Sequence, residues 1–247
     1  MMLNITLIGY GKMGRMIQNL AEAHGCRVQN MIDPTQPGCE PQITDSNLAE
    51  VCLEFSHPDA VMDNIRKVAA AGKHLVVGTT GWNKYLPEVE ELAAKHNIGL
   101  IWGANFSIGM NIFDRVIRHA TLLCAKFPFY DVGAWEIHHN QKADSPSGTA
   151  IQLANTILDA SETKQTAVYD KLERRIAKDE LHFASVRVGS VPGTHNVLFD
   201  SETDSLEFTH RARSRACFAV GALQAAQWIS LRKGVHSFNQ MMEDLLC

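Results

Sequence analysis

The sequence predicts an α/β protein in which a Rossmann-type, doubly wound parallel sheet is joined to a second, α+β domain. Over the first hundred residues, short apolar runs alternate with helical patterns, and parallel strands need such helical crossovers between them. A glycine-rich turn, Gly9 to Gly14, follows the first apolar run. After Asn105 the crossovers give way to strands separated by short turns, a pattern typical of antiparallel or mixed sheets.

The first part of the chain contains five predicted strands and the helices between them. Its apolar runs are short and end at glycine, proline or polar residues, as buried parallel strands do. The predicted strands cover residues 5–8, 28–32, 51–55, 74–77 and 98–102. The predicted helices run from the glycine turn to about residue 24, from 58 to 71 and from 86 to 96. Pro58 is expected in the first turn of its helix, and the proline-containing stretch 35–47 is expected to be a loop or weak edge structure.

The second part of the chain predicts an α+β insertion and a helix that returns to the first domain. The predicted helices cover residues 111–123, 148–159 and 216–232. The predicted strands cover residues 130–136, 183–189, 196–200 and 205–209. The polar stretch 161–182 is expected to be irregular. We therefore assign residues 1–109 and 217–247 to a dinucleotide-binding domain and residues 110–216 to a second domain.

Composition and charge exclude several classes of protein. Of the 247 residues, 45% are hydrophobic and 20% are charged, and the formal net charge is −4, so a nucleic-acid partner is not expected. Six cysteines are scattered without a CxxC pair, which is typical of reduced thiols rather than of disulfides or zinc ligands. The N-terminus enters a strand pattern without a basic leader, and no apolar run approaches the roughly 20 residues of a membrane span. We expect a soluble, cytoplasmic protein without a membrane partner.

The glycine turn has the spacing of a dinucleotide-binding loop. In Gly9-Tyr-Gly11-Lys-Met-Gly14, the first glycine permits a tight turn, the second lets the backbone approach a pyrophosphate, and the third allows close helix packing. Asp33 ends the second strand, where a carboxylate holds the ribose hydroxyls of the adenosine. The alternative is a glycine-rich turn without a ligand.

Two further segments follow the fourth and fifth predicted strands. Gly78-Thr-Thr-Gly81 and Gly103-Ala-Asn-Phe106 would lie at the carboxyl ends of the sheet, where open α/β folds bind ligands. Small residues there leave room for a ribose and a nicotinamide. Ordinary connecting turns also favour Gly, Thr and Asn, so the alternative is that both are simple turns.

The stretch from Glu136 to Ala150 carries the most chemistry in the sequence. His138, His139 and Lys142 are groups that can hold an anionic small molecule and protonate it. Ser147-Gly148-Thr149 then opens a helix, and a helix start with a small residue at its tip is a ready site for a carboxylate. We expect an anionic substrate here.

The basic side chains have two other possible roles, as metal ligands or as a solvated surface. His138 and His139 are adjacent, so on an extended segment they point to opposite sides, and no third His or Cys stands at ligand spacing; we therefore expect no metal site. For most of the basic residues further along the chain, we expect a solvated sheet face with surface ion pairs; the alternative is that one or two of them attract an anionic substrate. These basic residues are Arg187, His195, His210, Arg211, Arg213 and Arg215.

Together these segments resemble the dihydrodipicolinate reductase family. Its signature is similar to Glu136-Ile-His-His-x-x-Lys-x-Asp-x-Pro-Ser-Gly-Thr-Ala150, and this motif is highly specific, whereas the glycine turn is shared with many unrelated dehydrogenases. The resemblance extends along nearly the whole chain. Other matching segments are Gly9 to Gly14, Glu54 to Pro58, Gly78 to Gly81, Ala104 to Gly109 and Thr209 to Arg215.

The resemblance implies a homotetramer that reduces a cyclic, unsaturated dicarboxylic imine with NADH or NADPH, in lysine and diaminopimelate biosynthesis. It implies that the second domain binds the substrate and forms the oligomer. His138 and Lys142 match the proton-donor and catalytic positions of the family, and His139, Gly148 and Thr149 match its substrate-binding positions. The positions that match cofactor contacts are Ile8, Gly9, Tyr10, Gly11, Lys12, Met13, Asp33, Gly78, Thr79, Thr80, Gly103, Ala104, Asn105 and Phe106.

The sequence departs from the family pattern at two places. Many members carry Ala where Ser145 stands, and Asp33 is followed by Pro34 rather than by the basic residue often found there. We therefore expect NADH to be preferred, with NADPH still usable. Two alternative functions are a dinucleotide-sensing protein with an interaction module and another imine or carbonyl reductase. The residues leave open whether His138 or Lys142 delivers the proton.

Overall fold

The computed structural model describes residues 2–246 and divides into two compact units. The larger unit comprises Met1–Ile108 and Arg215–Cys247, and the smaller unit comprises Gly109–Ser214. Within the described residues, no helix has the length and apolar character needed to cross a membrane.

Residues 2–246, which the structure describes, form eleven strands and seven α-helices. In chain order, the strands are β1 (Leu3–Ile8), β2 (Cys26–Ile32), β3 (Val51–Glu54), β4 (His74–Val77), β5 (Gly99–Trp102), β6 (Asp131–His138), β7 (Thr166–Val168), β8 (Glu180–Arg187), β9 (Thr194–Asp200), β10 (Ser205–Arg211) and β11 (Gly234–Ser237). The helices are α1 (Lys12–Ala21), α2 (Val61–Ala70), α3 (Leu86–His96), α4 (Ile108–Cys124), α5 (Gly148–Ala160), α6 (Ala216–Ile229) and α7 (Phe238–Leu246).

The larger unit is a doubly wound parallel sheet, as predicted. Its six strands have the order β11-β5-β4-β3-β1-β2, and all of their pairings are parallel. Side chains alternate between the two faces of each strand: Leu53 packs in the same core as helices α1 and α6, whereas its neighbour Cys52 packs with α2 and α3. Both faces are therefore covered, and the carboxyl ends of the strands are left as the edge at which ligands bind.

The smaller unit contains a mixed five-stranded sheet with the order β10-β9-β6-β8-β7. Strand β6 pairs in parallel with β8 and antiparallel with β9. Ala134, Phe183 and Val197 are opposite one another in this register and lie in one apolar core with Leu153 and Ile157 of α5. This core holds α5 against the sheet and so positions the helix start.

Several elements differ from the sequence prediction. Pro58 lies in a turn before α2, because the backbone of His57 accepts hydrogen bonds from Ala60 and Val61 and the helix begins only at Val61. The stretch 161–182, predicted to be irregular, contains strand β7 and the first residues of β8. Strand β11 and helix α7 were not predicted. Strands β7 and β11 have three and four residues, too few for an alternating pattern to be recognised.

Candidate functional site

The glycine turn of the larger unit has the backbone geometry that its spacing predicts. Gly9 has φ +91°, and a Cβ there would lie 2.4 Å from the carbonyl oxygen of Phe55. A Cβ at Gly14 would lie 2.4 Å from the carbonyl oxygen of Gly9, so the third glycine lets α1 pack against the turn. A Cβ at Gly11 would meet nothing within 4 Å. The space beside Gly11 is therefore open to a ligand that approaches the backbone.

A cavity of about 530 Å³ lies beside this turn and is lined by Gly9, Gly11 and Asp33, among others. One carboxylate oxygen of Asp33 accepts a hydrogen bond of 2.8 Å from the backbone N–H of Tyr10. The other accepts bonds from the backbone and hydroxyl of Thr35 at 2.9 and 2.7 Å. Burial raises the pKa of Asp33, but these hydrogen bonds outweigh it and lower the pKa overall. Asp33 is thus an ionised acceptor at the mouth of the turn.

Arg15 supplies a cation close to Asp33. Its guanidinium lies 4.6 Å from the centre of the Tyr10 ring and donates a 2.8 Å hydrogen bond to Gln36. Arg15 is also among the groups that lower the pKa of Asp33. A cation therefore lies near Asp33 and is bonded to Gln36, which lines the cavity.

The other two predicted segments lie at the same edge of the sheet. A cavity of about 210 Å³ is lined by Met13, Gly78, Thr79 and Thr80, with Phe55 and other residues. A Cβ at Gly78 would lie 2.0 Å from the ring of Phe55, so this glycine is required by packing. Thr79 and Thr80 also line a smaller cavity of about 20 Å³. Its other lining residues include Gly103 and Ala104.

Phe106 has a different position from the rest of the predicted cofactor set. It is only 3% exposed, and its ring lies 4.8 Å from that of Phe238 and 5.9 Å from that of Phe55. Asn105 accepts a 2.9 Å hydrogen bond from the backbone of Ser107. The ring of Phe106 is thus buried and packs beneath the edge of the sheet. The side chain of Asn105 stabilises the turn that contains Phe106.

In the smaller unit, a polar cluster continues the apolar core along one face of the sheet. Glu136 is two residues after Ala134 on β6 and is opposite Ser185 and His195 in the strand register. Side chains two apart on a strand share a face, so these groups face the same side as the core. His138 is the last residue of β6, not a member of the loop that follows.

Glu136 is the centre of this cluster and is fully buried. Oε1 accepts hydrogen bonds from the backbone of Ser147 at 3.0 Å, from Ser185 at 2.9 Å and from Arg187 at 2.9 Å. Oε2 accepts one from the Ser147 hydroxyl. Oε2 also lies 3.3 Å from Nδ1 of His138 and 3.5 Å from Nε2 of His195, ion-pair distances without hydrogen-bond alignment.

The electrostatics of the cluster favour an ionised carboxylate at Glu136 and a neutral imidazole at His195. Burial raises the pKa of Glu136, but its contacts with His138, His195 and Ser147 outweigh burial and hold the pKa far below the ordinary range. Burial lowers the pKa of His195, and the carboxylate of Glu136 only partly offsets this. Arg187 is a further ion-pair partner of Glu136, at 2.9 Å.

The predicted substrate-binding helix start is present and capped. Ser147 is the N-cap of α5, and its hydroxyl accepts a 3.1 Å hydrogen bond from the backbone of Ala150. Gly148 is exposed and Thr149 is half-buried. The positive end of the helix is therefore accessible to an anion at these two residues.

The two predicted catalytic residues differ in accessibility. His138 is 7% exposed, and a Cβ at Gly193 would lie 3.1 Å from its Nε2. The side chain of Lys142 is 23% exposed and forms a 2.8 Å ion pair with Asp144. His139 is half-buried. Lys142 is therefore the more accessible of the two groups that can donate a proton.

The expectation of a solvated basic face was wrong for Arg187, His195 and His210. Arg187 pairs with buried Glu136, His195 is 4% exposed, and burial lowers the pKa of His210. Arg211, Arg213 and Arg215 are exposed, as expected. The available signal was the two-residue spacing of His195 from Val197 and of Glu136 from Ala134, which places polar residues on a core-facing side.

The pairing of strands also brings a third ligand-type residue to His138. The nearest ligand atoms of Glu136, His138 and His195 lie within 4.8 Å of one another, whereas the sequence showed no third group at ligand spacing. Arg187 is bonded to the same carboxylate, and a cation there would meet that positive charge. The three residues therefore form a buried carboxylate–imidazole cluster.

Comparison with known families covers nearly the whole chain. Residues 3–106 match the model described as "Dihydrodipicolinate reductase, N-terminus", and residues 109–246 match "Dihydrodipicolinate reductase, C-terminus". The chain belongs to the dihydrodipicolinate reductase family. It is therefore an oxidoreductase, and the resemblance seen in the sequence is confirmed.

Individual relatives agree with this assignment. The chain is 33% identical to the 4-hydroxy-tetrahydrodipicolinate reductase of Christiangramia forsetii over 98% of its length and 99% of the relative. It is also 33% identical to the enzyme of that name from Archaeoglobus fulgidus, over 94% and 96% of the two chains. The solved structure of dipicolinate-bound dihydrodipicolinate reductase from Paenisporosarcina sp. TG-14 shares the fold, with a TM-score of 0.77 at 23% identity over 98% and 100% of the chains.

Proposed function

We propose that the chain catalyses the NAD(P)H-dependent reduction of 4-hydroxy-tetrahydrodipicolinate to tetrahydrodipicolinate, a step of lysine and diaminopimelate biosynthesis. The observation that carries the proposal is the accessible start of α5 in the same unit as an accessible lysine and a buried carboxylate–imidazole cluster. An anion-binding helix start and a proton donor are what reduction of a dicarboxylic imine requires. The relatives that carry the name of this enzyme support the choice of substrate.

The larger unit is proposed to bind the cofactor. Its residues fit a dinucleotide, because the backbone at Gly11 is open to a pyrophosphate and Asp33 is an ionised acceptor for ribose hydroxyls. A reduced nicotinamide supplies the hydride when it is bound. The proposed contacts are Ile8, Gly9, Tyr10, Gly11, Lys12, Met13, Asp33, Gly78, Thr79, Thr80, Gly103, Ala104, Asn105 and Phe106.

The smaller unit is proposed to bind the substrate. Gly148 and Thr149 at the start of α5 would hold one carboxylate, and His139 and Lys142 would hold the second or the ring. The positive end of a helix and a lysine ammonium both stabilise carboxylates. This arrangement favours a small dicarboxylate over a neutral carbonyl compound.

His138 and Lys142 are proposed as the catalytic pair. The 23% exposure of the Lys142 side chain supports direct proton delivery by its ammonium. The burial of His138 beside Glu136 supports a role for its imidazole in orienting or supplying that proton. Comparing turnover of the two alanine variants distinguishes these roles.

A cytoplasmic homotetramer without nucleic-acid, membrane or metal partners is proposed for the assembly. The open face of the smaller unit's sheet supports association, because Trp135 and Ile137 are only half-buried there and Val186 is 45% exposed. Apolar side chains that share one sheet face are typical of subunit interfaces. Sedimentation equilibrium of the purified protein tests the tetramer.

The proposed reaction is tested by mixing the purified protein with NADH and substrate that an aldolase generates in place, and by following the loss of NADH absorbance. Substrate-dependent oxidation is the expected result. A dinucleotide sensor would bind NADH without consuming it. Another imine or carbonyl reductase would consume NADH with other compounds and not with this one, and either outcome would reject the proposal.

A further inference from the structure

We propose that Glu136 is a positioning residue, whose single buried carboxylate fixes the imidazole of His138, the loop that carries Lys142 and the start of α5 relative to one another. This inference rests on the proposed function and adds a residue that touches neither substrate nor cofactor in that proposal. The carboxylate contacts the helix start and lies beside His138, and it reaches the loop of Lys142 through Arg187.

The first connection runs from Glu136 to the helix start. Both the backbone N–H and the hydroxyl of Ser147 donate to the carboxylate. The same hydroxyl accepts the 3.1 Å hydrogen bond from Ala150 inside the first turn of α5. Because Ser147 is the N-cap, the carboxylate of a strand is bonded directly to the end of the helix that presents Gly148 and Thr149.

The second connection runs from Glu136 to His138. Nδ1 of His138 lies 3.3 Å from Oε2, and the ring is at 74° to that of His195, with centroids 5.2 Å apart. On the other side, a Cβ at Gly193 would lie 3.1 Å from Nε2. The imidazole is thus held between a carboxylate, a second imidazole and the backbone at a glycine, which leaves it little freedom to rotate.

The third connection reaches the loop that contains Lys142. Arg187 donates to Oε1 of Glu136 at 2.9 Å and to the backbone oxygen of Asp144 at 2.7 Å. Asp144 in turn forms the 2.8 Å ion pair with Lys142. Through Arg187, the carboxylate therefore also holds the segment that places the accessible ammonium.

These contacts require an ionised carboxylate, because the groups of Ser147, Ser185 and Arg187 that face it all donate hydrogen bonds. An ionised carboxylate only accepts, whereas an amide of the same shape carries two N–H donors on one side. In Glu136→Gln, one side of the amide must place its donors against donors. The substitution keeps the shape of the side chain, but Ser147, Ser185 and Arg187 must change position to avoid the new donors.

The experiment compares Glu136→Gln with the wild type in the aldolase-coupled assay, with rates normalised to folded protein by circular dichroism. We expect kcat to fall by about a hundredfold, the usual effect of misplacing a reacting group by about 1 Å. The KM for substrate should rise by about tenfold, because the helix start shifts as well. The Kd for NADH, measured by fluorescence, should stay within about twofold of the wild type.

Two further variants separate positioning from folding. Ser147→Ala removes the connection to the helix and should raise the KM about three- to tenfold with a small effect on kcat. Glu180→Gln is the matched control, because Glu180 lies on β8 of the same sheet and pairs with Arg174 at 2.5 and 2.8 Å. It removes an ion pair of the same sheet away from the cluster, and its kinetics should match the wild type.

Wild-type kcat and KM in the folded fraction of Glu136→Gln would overturn the inference while leaving the proposed function intact. If Glu136→Gln does not fold, Glu136→Asp keeps the charge and shortens the side chain by one methylene, and Ser185→Ala removes one donor to Oε1. A fall in kcat in these folded variants supports positioning, and unchanged kinetics in both rejects it. A wild type that does not reduce the substrate would instead reject the proposed function.

Discussion

The two candidate sites differ in the groups that form them. In the larger unit, the backbone forms the site, and glycines matter because a side chain would overlap Phe55 or the turn itself. In the smaller unit, charged side chains form the site around one buried carboxylate, with Arg187 and Ser147 as its partners. The first kind of site depends on the space that small residues leave, and the second depends on charge and hydrogen-bond direction.

This difference predicts how each site responds to substitution. A change of shape should damage the glycine turn, whereas a change of charge at constant shape should damage the cluster of the smaller unit. Backbone conformations that only glycine tolerates are lost when a Cβ is added, and a buried carboxylate is sensitive to the loss of its donors or its charge.

Replacing Lys142 with Ala should lower kcat by a factor of roughly a hundred to ten thousand, the range of a positioned proton donor. NADH affinity should change little, because Lys142 belongs to the smaller unit and the proposed cofactor contacts to the larger. Steady-state kinetics and NADH titration measure the two effects. Lys171→Ala is a suitable control, since Lys171 forms an exposed ion pair with Glu173. An unchanged kcat in Lys142→Ala would remove this residue from the mechanism.

Replacing Gly9 with Ala should destabilise the protein by roughly 2 to 5 kcal/mol, the sum of left-handed backbone strain and overpacking. The Cβ would lie 2.4 Å from the carbonyl oxygen of Phe55, with φ at +91°. Gly11→Ala is the matched control, because its Cβ would meet nothing within 4 Å. In thermal unfolding, Gly9→Ala should therefore have a lower Tm than Gly11→Ala.

The same pair of variants also tests where the pyrophosphate binds. Gly11→Ala should keep the wild-type Tm and bind NADH less tightly, since its methyl group would occupy the open side of the turn. NADH titration of the folded variant measures this. A Gly11→Ala variant that binds NADH normally would place the pyrophosphate elsewhere.

Replacing Thr149 with Val keeps the shape of the side chain and removes its hydroxyl. We expect the KM for substrate to rise about ten- to a hundredfold, as for loss of a hydrogen bond to a charged group, with kcat nearly unchanged. Weaker NADH binding in this variant would instead assign the start of α5 to the cofactor.

The sequence predicted the glycine turn of the larger unit better than the polar cluster of the smaller unit, because the signals of the turn are local. Gly9, Gly11 and Gly14 lie within six residues, and their spacing alone indicates a turn with a tight bend and an open side. The partners of Glu136 on β8 and β9 are 49 and more residues away. Their approach depends on strand register, which one sequence does not specify, so Arg187 and His195 were assigned to the surface.

The cofactor preference is the finest test of the larger unit, because it depends on a small difference between opposing charges. Asp33 should accept hydrogen bonds from the ribose hydroxyls of NADH and repel the 2′-phosphate of NADPH. Pro34 and Thr35 add no cation, and Arg15 is engaged by Tyr10 and Gln36. Two like charges about 4 Å apart near a surface interact by about 4 kcal/mol at an effective dielectric of 20, and solvent and Arg15 reduce this.

We therefore expect NADH to be favoured about tenfold in kcat/KM, which corresponds to about 1.4 kcal/mol, with NADPH still usable. Asp33→Ser should narrow or invert the ratio, because it keeps a small hydrogen-bonding group and removes the charge that repels the phosphate. Arg15→Ala should widen the ratio if the guanidinium leaves Gln36 to meet the phosphate. The test is to measure kcat/KM for NADH and for NADPH in the wild type, Asp33→Ser and Arg15→Ala. A wild type that already favours NADPH would show that the attraction of Arg15 or Lys12 exceeds the repulsion of Asp33.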